Sequence, residues 1–382
     1  MKLILLFLMF VLIGCQDILP EVPIDDNNID IIDDNDDDII DDDDRDYSYV
    51  LDIEDYYDYE EKMVFFNHPY MNASTQFSIV FLNPVITVFS YQDTYHDPEC
   101  FAINETTVIP CERYGKVNTE ELGRHEVVYY VEDDEGLFRS VSFYKDVLTD
   151  KTLLDITLSE YYQSAQGLYG EELFNALRII LNSSATLQNY GAARTILQES
   201  DQDPMNPNHV IQLYTQNSVP ATFHCPRHDD CNWNREHVWP IRRMPISRPS
   251  NTNTNMGSDL HNLAPEDYHE NNYRAAKYFN ETDSLNSYHP IDEVKGNVAR
   301  ILFYMDVMYS ELTLVSGTPL DVNFEMGDLD FLLRWHFIDE VADFEYNRNE
   351  VIYYYQHNRN PFIDYPHFVE LIWFNLIDYP YE

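Results

Sequence analysis

The heptapeptide Asn234-Arg235-Glu236-His237-Val238-Trp239-Pro240 sets a carboxylate beside an imidazole. Glu236 offers a hard oxygen ligand for a cation, and His237 a group whose protonation changes near neutral pH. Trp239-Pro240 interrupts regular structure, which puts the pair at a strand end, where neighbouring side chains can converge. A lone Glu-His pair is a common accident of sequence. A second element about 20 to 35 residues downstream gives it weight: Gly257-Ser258-Asp259-Leu260-His261-Asn262-Leu263-Ala264-Pro265, then Asn271-Asn272-Tyr273-Arg274. That separation is the reach of a hairpin plus the start of a helix. The amide oxygen of a helix-borne Asn271 can complete a cation site begun by Glu236.

These motifs resemble the endonuclease I family of exported bacterial nucleases, which carry a ββα-metal (His-Me finger) site. The family shows Arg-Glu-His-x-x-Pro, then Asp-Leu-His-His-Leu-x-Pro, an Asn six positions after that Pro and an Arg three further on. Arg235 to Pro240, Asp259 to Pro265, Asn271 and Arg274 stand at those places. The likeness continues through Asn297 to Met305 and ends at Asn358-Arg359-Asn360-Pro361-Phe362-Ile363-Asp364, covering about residues 159–375. Asn262 departs from the second His of many members.

Carried over by position, the resemblance implies His237 as general base and Glu236 and Asn271 as ligands of one divalent ion. That ion is expected to be Mg²⁺, with Mn²⁺ or Ca²⁺ as alternatives. An Arg expected between the His and the metal Asn leaves Arg242, Arg243 and Arg248 open. Arg242 and Arg248 are taken as catalytic, and Arg235, Arg243 and Arg274 as contacts to nucleic acid. His261 is expected to pack and hydrogen-bond within the hairpin, with Asp259 as the alternative metal ligand. Phosphodiester cleavage then needs a neutral His237 to take a proton from water attacking phosphorus in line. The cation offsets developing charge, and an Arg adds a charge-assisted contact to phosphate. One shallow site reached mainly through backbone contacts implies low sequence specificity on DNA, with RNA as an alternative substrate.

The elements that must position these residues change character along the chain. Phe77 to Leu82 and Val85 to Phe89 read as strands around a Pro-containing turn. Glu126 to Val131 and Phe138 to Phe143 flank an acidic, Gly-ended turn, which is a hairpin signal. Residues 122–147, LGRHEVVYYVEDDEGLFRSVSFYKDV, resemble the last strands of Ig-like repeats on bacterial surface proteins, and imply a β-sandwich that acts as a spacer. From about Ser159 the spacing turns helical. Leu168, Leu173, Ala176, Leu177 and Ile180 form one apolar stripe, and Val298, Ile301, Leu302, Met305 and Met308 another. The expected class is α+β: a mainly helical nuclease domain with a ββα-metal finger at 155–378, preceded by an all-β Ig-like sandwich at 62–150.

The net charge of −45 argues by itself against a polyanionic partner. Its distribution removes the objection. Residues 16–61 hold 21 Asp and Glu against one Arg, whereas 235–300 hold nine acidic and eight basic side chains. The motifs lie in the nearly neutral stretch, and 15–61 reads as a self-repelling, solvated tether. Before it, the apolar run Leu3 to Ile13 is too short to span a bilayer and fits a signal-peptide core at 1–14. Leu12-Ile13-Gly14-Cys15 resembles the lipobox of bacterial lipoproteins, which implies lipidation at Cys15. The other cysteines, Cys100, Cys111, Cys225 and Cys231, allow three pairings. The two sequence-local ones are expected, because the pairs lie in different segments and no CxxC spacing favours zinc.

The reading that follows is a monomeric, lipid-anchored nuclease facing outward from the cell envelope, or extracellular if released. Its competitor is a surface-binding lipoprotein whose nuclease fold is silent. The joint presence of Glu236, His237 and Asn271 favours the enzyme, since a silent copy needs none of them.

Overall fold

Alternating β-branched and aromatic residues write the first half as strands. In the strand Gly123–Glu132, Val127, Tyr129 and Val131 are buried in step, as a period of two requires. It pairs antiparallel with Phe138–Leu148, in register from Gly123↔Val147 to Glu132↔Phe138. Val88–Ser90 and Glu112–Tyr114 flank this hairpin to make a four-stranded sheet. Ser78–Phe81, Cys100–Ile103 and Val108–Pro110 make a second, three-stranded sheet. The runs on either side of Pro84 therefore do not pair with each other: one strand enters each sheet. The sheets face one another, with Phe81 of one packed edge-on against Tyr129 and Phe143 of the other at 5.0 and 5.4 Å. The Cys100–Cys111 disulfide borders that core.

This computed structural model describes residues 78–103, 108–132, 138–226, 230–320 and 323–377. The expected signal peptide, Cys15, the tether at 15–61 and the start of the expected sandwich lie outside the described residues.

The second half is helical around short strand pairs, so the whole is α+β. The helix Gly170–Ser184 buries Leu173, Leu177, Ile180 and Leu181, while Leu168 stands before its first residue. The helix Lys295–Met308 differs from the expected one-sided stripe. It is buried nearly all round, because the helices Gly170–Ser184 and Leu329–Ile338 and the 260–262 turn pack on different sides of it. Its one fully buried cation, Arg300, is held bidentately by Glu345 at 2.7 and 2.8 Å. The strand-rich half joins the same core. Leu148 packs with residues of the helical half, Tyr169 donates to Asp146 at 3.0 Å, and Thr149 donates to Glu370 at 2.8 Å. Among the described residues, no helix is long and apolar enough to cross a membrane.

Candidate active site

Two short strands and a helix carry the sequence motifs. Asn234–His237 pairs antiparallel with Leu263–Glu266, and its register sets His237 opposite Leu263 and Asn234 opposite Glu266. The helix Tyr268–Arg274 follows at once, started by Asp267, whose side chain accepts from the backbone N–H of His269 and Glu270. Asn262 closes the ribbon. Its Oδ1 accepts from Trp239 N at 2.6 Å and its Nδ2 donates to Trp239 O at 3.1 Å, so an amide suits this position. Asp259 accepts from Tyr304, Tyr309, Gln356 and the His261 N–H, and is thereby a buried anchor rather than a free ligand. His261 packs on Tyr304 and its Nε2 lies 3.2 Å from Asn358 O.

Strand alternation sends the motif's side chains to two faces. On one, Glu236 is 2% exposed and its Oε1 accepts from Tyr214 and from Arg274, each at 2.9 Å. Burial pushes its carboxyl up, against the pull of Arg274 and Tyr214. Asn271 reaches back from the helix, its Nδ2 donating to Asn234 Oδ1 at 3.0 Å and to Arg235 O at 3.3 Å. With its N–H groups committed, the amide oxygen of Asn271 is the end left for a cation. Among the described residues no cluster of three His, Cys, Asp or Glu occurs. A carboxylate and one amide oxygen, with water for the rest, fit a hard divalent ion such as Mg²⁺.

On the other face, the His237 ring stacks on Tyr190, with centroids 5.4 Å apart. Its Nε2 lies 2.8 Å from the carbonyl oxygen of Gly257. A carbonyl can only accept, so Nε2 carries the proton and Nδ1 the lone pair. Burial pushes the imidazole down to about 4, and the Arg235, Arg248 and Arg274 charges add to that. His237 is therefore neutral at pH 7. The Arg235 guanidinium lies 3.5 Å from the Tyr190 ring centroid and donates to the Tyr190 carbonyl.

The Endonuclease I family model matches residues 169–289 and 283–367, which include all of these side chains. The chain belongs to the endonuclease I family. Two relatives are the extracellular ribonucleases of Bacillus amyloliquefaciens and Bacillus subtilis (strain 168). They are 39% and 38% identical over 231 residues, covering 56% of this chain and 78% of each relative. The strand-rich segment 78–148 lies outside the family match.

Within this endonuclease I scaffold the arginines sort by depth. Arg274, expected to contact nucleic acid, is fully buried: it spans Glu236, His237 O and Val238 O and lies over Phe279. Arg243, expected likewise, is buried and donates to the carbonyls of Ala276, Pro319 and Glu325. Both are corrected to struts, because the carbonyls around them leave no face for a polyanion. Arg242 and Arg248 are exposed. Arg248 lies near enough to act electrostatically on both His237 and Tyr190, which separates it from the other two arginines between His237 and Asn271. Cys225 and Cys231 pair with each other, as expected. Tyr190, Tyr214 and Gly257 were not singled out for the chemistry in the sequence, since each arrives from outside the motif strand.

Proposed function

We propose that this chain is a divalent-metal-dependent, largely non-specific endonuclease that hydrolyses phosphodiester bonds of nucleic acid outside the cell. DNA is the expected substrate, and the relatives' name brings RNA into its range. The observation that carries the reading is the neutral His237, held by Gly257 at the end of the short strand that also carries Glu236 and is tied to Asn271. Nδ1 of His237 takes a proton from water as that water forms its bond to phosphorus, and the bond to the 3′ oxygen breaks. Arg248 presents charge to the phosphate from the same side. Glu236 and Asn271 would hold a divalent cation, which would supply neutralisation of the charge that develops during cleavage. Arg274 and Tyr214 keep the Glu236 carboxylate oriented.

Support for export comes from the two disulfides, which suit an oxidising compartment, and from the relatives named extracellular. In the same proposal Cys15 anchors a monomer to the envelope, the acidic tether spans outward, and the two facing sheets form an Ig-like unit packed on the nuclease half. Digestion of plasmid DNA and of RNA, with chelator and then with Mg²⁺, Mn²⁺ or Ca²⁺ restored, tests the activity. No cleavage under any of these ions would leave the silent fold as the better account.

A further inference from the structure

The chain holds 68 Asp and Glu against 23 Lys and Arg, so an arginine without an acid has many to choose from. Arg113, Arg124, Arg274, Arg300, Arg348 and Arg359 each hold a carboxylate. Beside His237 the pattern reverses. Arg194, Arg235 and Arg248 all act electrostatically on Tyr190, whose ring stacks on His237, and among the described residues none of the three has an ion pair. Arg194, in the first turn of the helix Ala193–Ser200, lies 4.7 Å from the Phe223 ring centroid, and Arg235 lies 5.7 Å from the same centroid. Phe223 is braced edge-on by Trp233 at 4.9 Å and stands two residues before the Cys225–Cys231 disulfide. The result is a continuous chain of contacts from His237 through Tyr190, Arg235 and Phe223 to Arg194. The Nε of Arg194 is buried with no hydrogen-bond partner, although a buried donor ordinarily has one.

Like charges gathered without a counter-charge are costly to hold, and a bound anion removes that cost. We propose that Arg194 and Arg235 form a second phosphate subsite, next to Arg248 at the scissile phosphate, which binds a backbone phosphodiester neighbouring the scissile one on the same strand. The proposal rests on the nuclease reading of Glu236 and His237. Guanidinium forks match phosphate oxygens, and contacts of this kind set the register of the strand without reading its bases. Aromatic rings back Arg194 and Arg235, so these donors are ordered before substrate arrives. The stretch that carries Arg194 lies well upstream of the Glu-His motif, and its role is to favour substrates longer than one phosphodiester.

The test uses the mature protein with its metal ion and two substrates, a single-stranded oligonucleotide and a dinucleoside monophosphate, which has only the scissile phosphodiester. In Arg194→Gln, the ratio of kcat/KM for the longer to the shorter substrate should fall about three- to tenfold. The slope of log KM against log salt for the oligonucleotide should shrink by roughly 0.7, the value of one phosphate contact on a single strand. Arg194→Lys keeps the charge and should keep most of both effects. Lys116→Gln, in the strand-rich half, should keep the wild-type slope. Unchanged ratio and slope in Arg194→Gln would overturn the subsite. So would an equal loss in Arg194→Lys with a lowered Tm, which would make the residue structural. Wild-type protein that cuts neither substrate would bring down the nuclease reading itself, and is told apart by that result.

Discussion

The Nε2–H of His237 points at the carbonyl oxygen of Gly257 from 2.8 Å, which leaves Nδ1 as the ring's only basic atom. Gly257 sits between Ile241 and Ile246, whose tips would lie 2.9 Å from a Cβ at that position. The acceptor is thus held by packing as well as by chain geometry. His237→Ala removes the base and should lower turnover by roughly 10²–10⁴ while binding of nucleic acid persists. Single-turnover cleavage and a filter-binding assay on the same variant separate the two. Near-normal cleavage would remove His237 from the mechanism.

The depressed proton affinity of His237 has a direction that can be measured. Its neutral form is the active one, and burial holds the ring down at about 4. As pH falls through the ordinary histidine range the base therefore stays deprotonated, and kcat/KM should stay level there. Loss should come only as pH approaches about 4. Profiles of kcat/KM from acid to neutral pH, at saturating metal ion, check this. An acid limb centred near 6.5, the ordinary histidine value, that does not move with metal-ion concentration would show a ring more exposed than the structure has it. One that does move belongs to Glu236, whose carboxyl burial pushes up.

Arg274 distinguishes a strut from a substrate contact. It is fully buried against Glu236, itself 3% exposed at the side chain. Arg274→Met leaves a buried carboxylate unpaired and should cost about 3–5 kcal/mol of stability, whereas loss of a surface cation costs within about 0.5 kcal/mol. Urea unfolding of the two proteins reads the difference. A cost under 1 kcal/mol would return Arg274 to the surface.

Tyr214 supports the same carboxylate from the other side. Tyr214→Phe removes the hydrogen bond at 2.9 Å and keeps the ring. Outer partners of a metal ligand are worth about 10–100-fold in metal affinity, so the Mg²⁺ concentration for half-maximal cleavage should rise by that order. Asn271→Ala should raise it further. Unchanged Mg²⁺ dependence in both variants would move the cation elsewhere.

Much of this site was legible in sequence because Glu236, His237 and Asn271 sit at the spacing of a ribbon and a helix. The arginines were not, for a physical reason. Sequence places Arg243, Arg248 and Arg274 in one nearly neutral stretch, but depth decides their roles, and depth depends on distant partners such as the Glu325 carbonyl and the Phe279 ring. Arg194 comes from the helix Ala193–Ser200, Tyr190 from the turn before it and Phe223 from the segment leading to the Cys225–Cys231 disulfide, so no local pattern announces them. The helix Lys295–Met308 was read as one-sided for the same reason: a stripe marks the first face to be buried and says nothing of the second.

The boundary between the strand-rich and helical halves gives the last prediction. Read from sequence, the sheets are a spacer joined to an independent nuclease domain. In the structure Leu148, 1% exposed, packs into the core of the helical half. Asp146 links Arg124 of the sheet to Tyr169, and Thr149 is tied to Glu370. Burying a leucine is worth about 1.5–3 kcal/mol. A chain beginning at residue 151 loses that contact along with the polar ones. At about 2–4 °C per kcal/mol for a domain of this size, its Tm should fall by roughly 3–12 °C. Leu148→Ala in the full chain should lower stability by about 2–5 kcal/mol, which shows that the interface, and not chain length, is responsible. Calorimetry that finds the same Tm in the truncated and full chains would restore the picture of two independent domains. If the Tm falls as expected, the sheets serve as a wall of the nuclease half, and any outward reach of the enzyme belongs to residues before them.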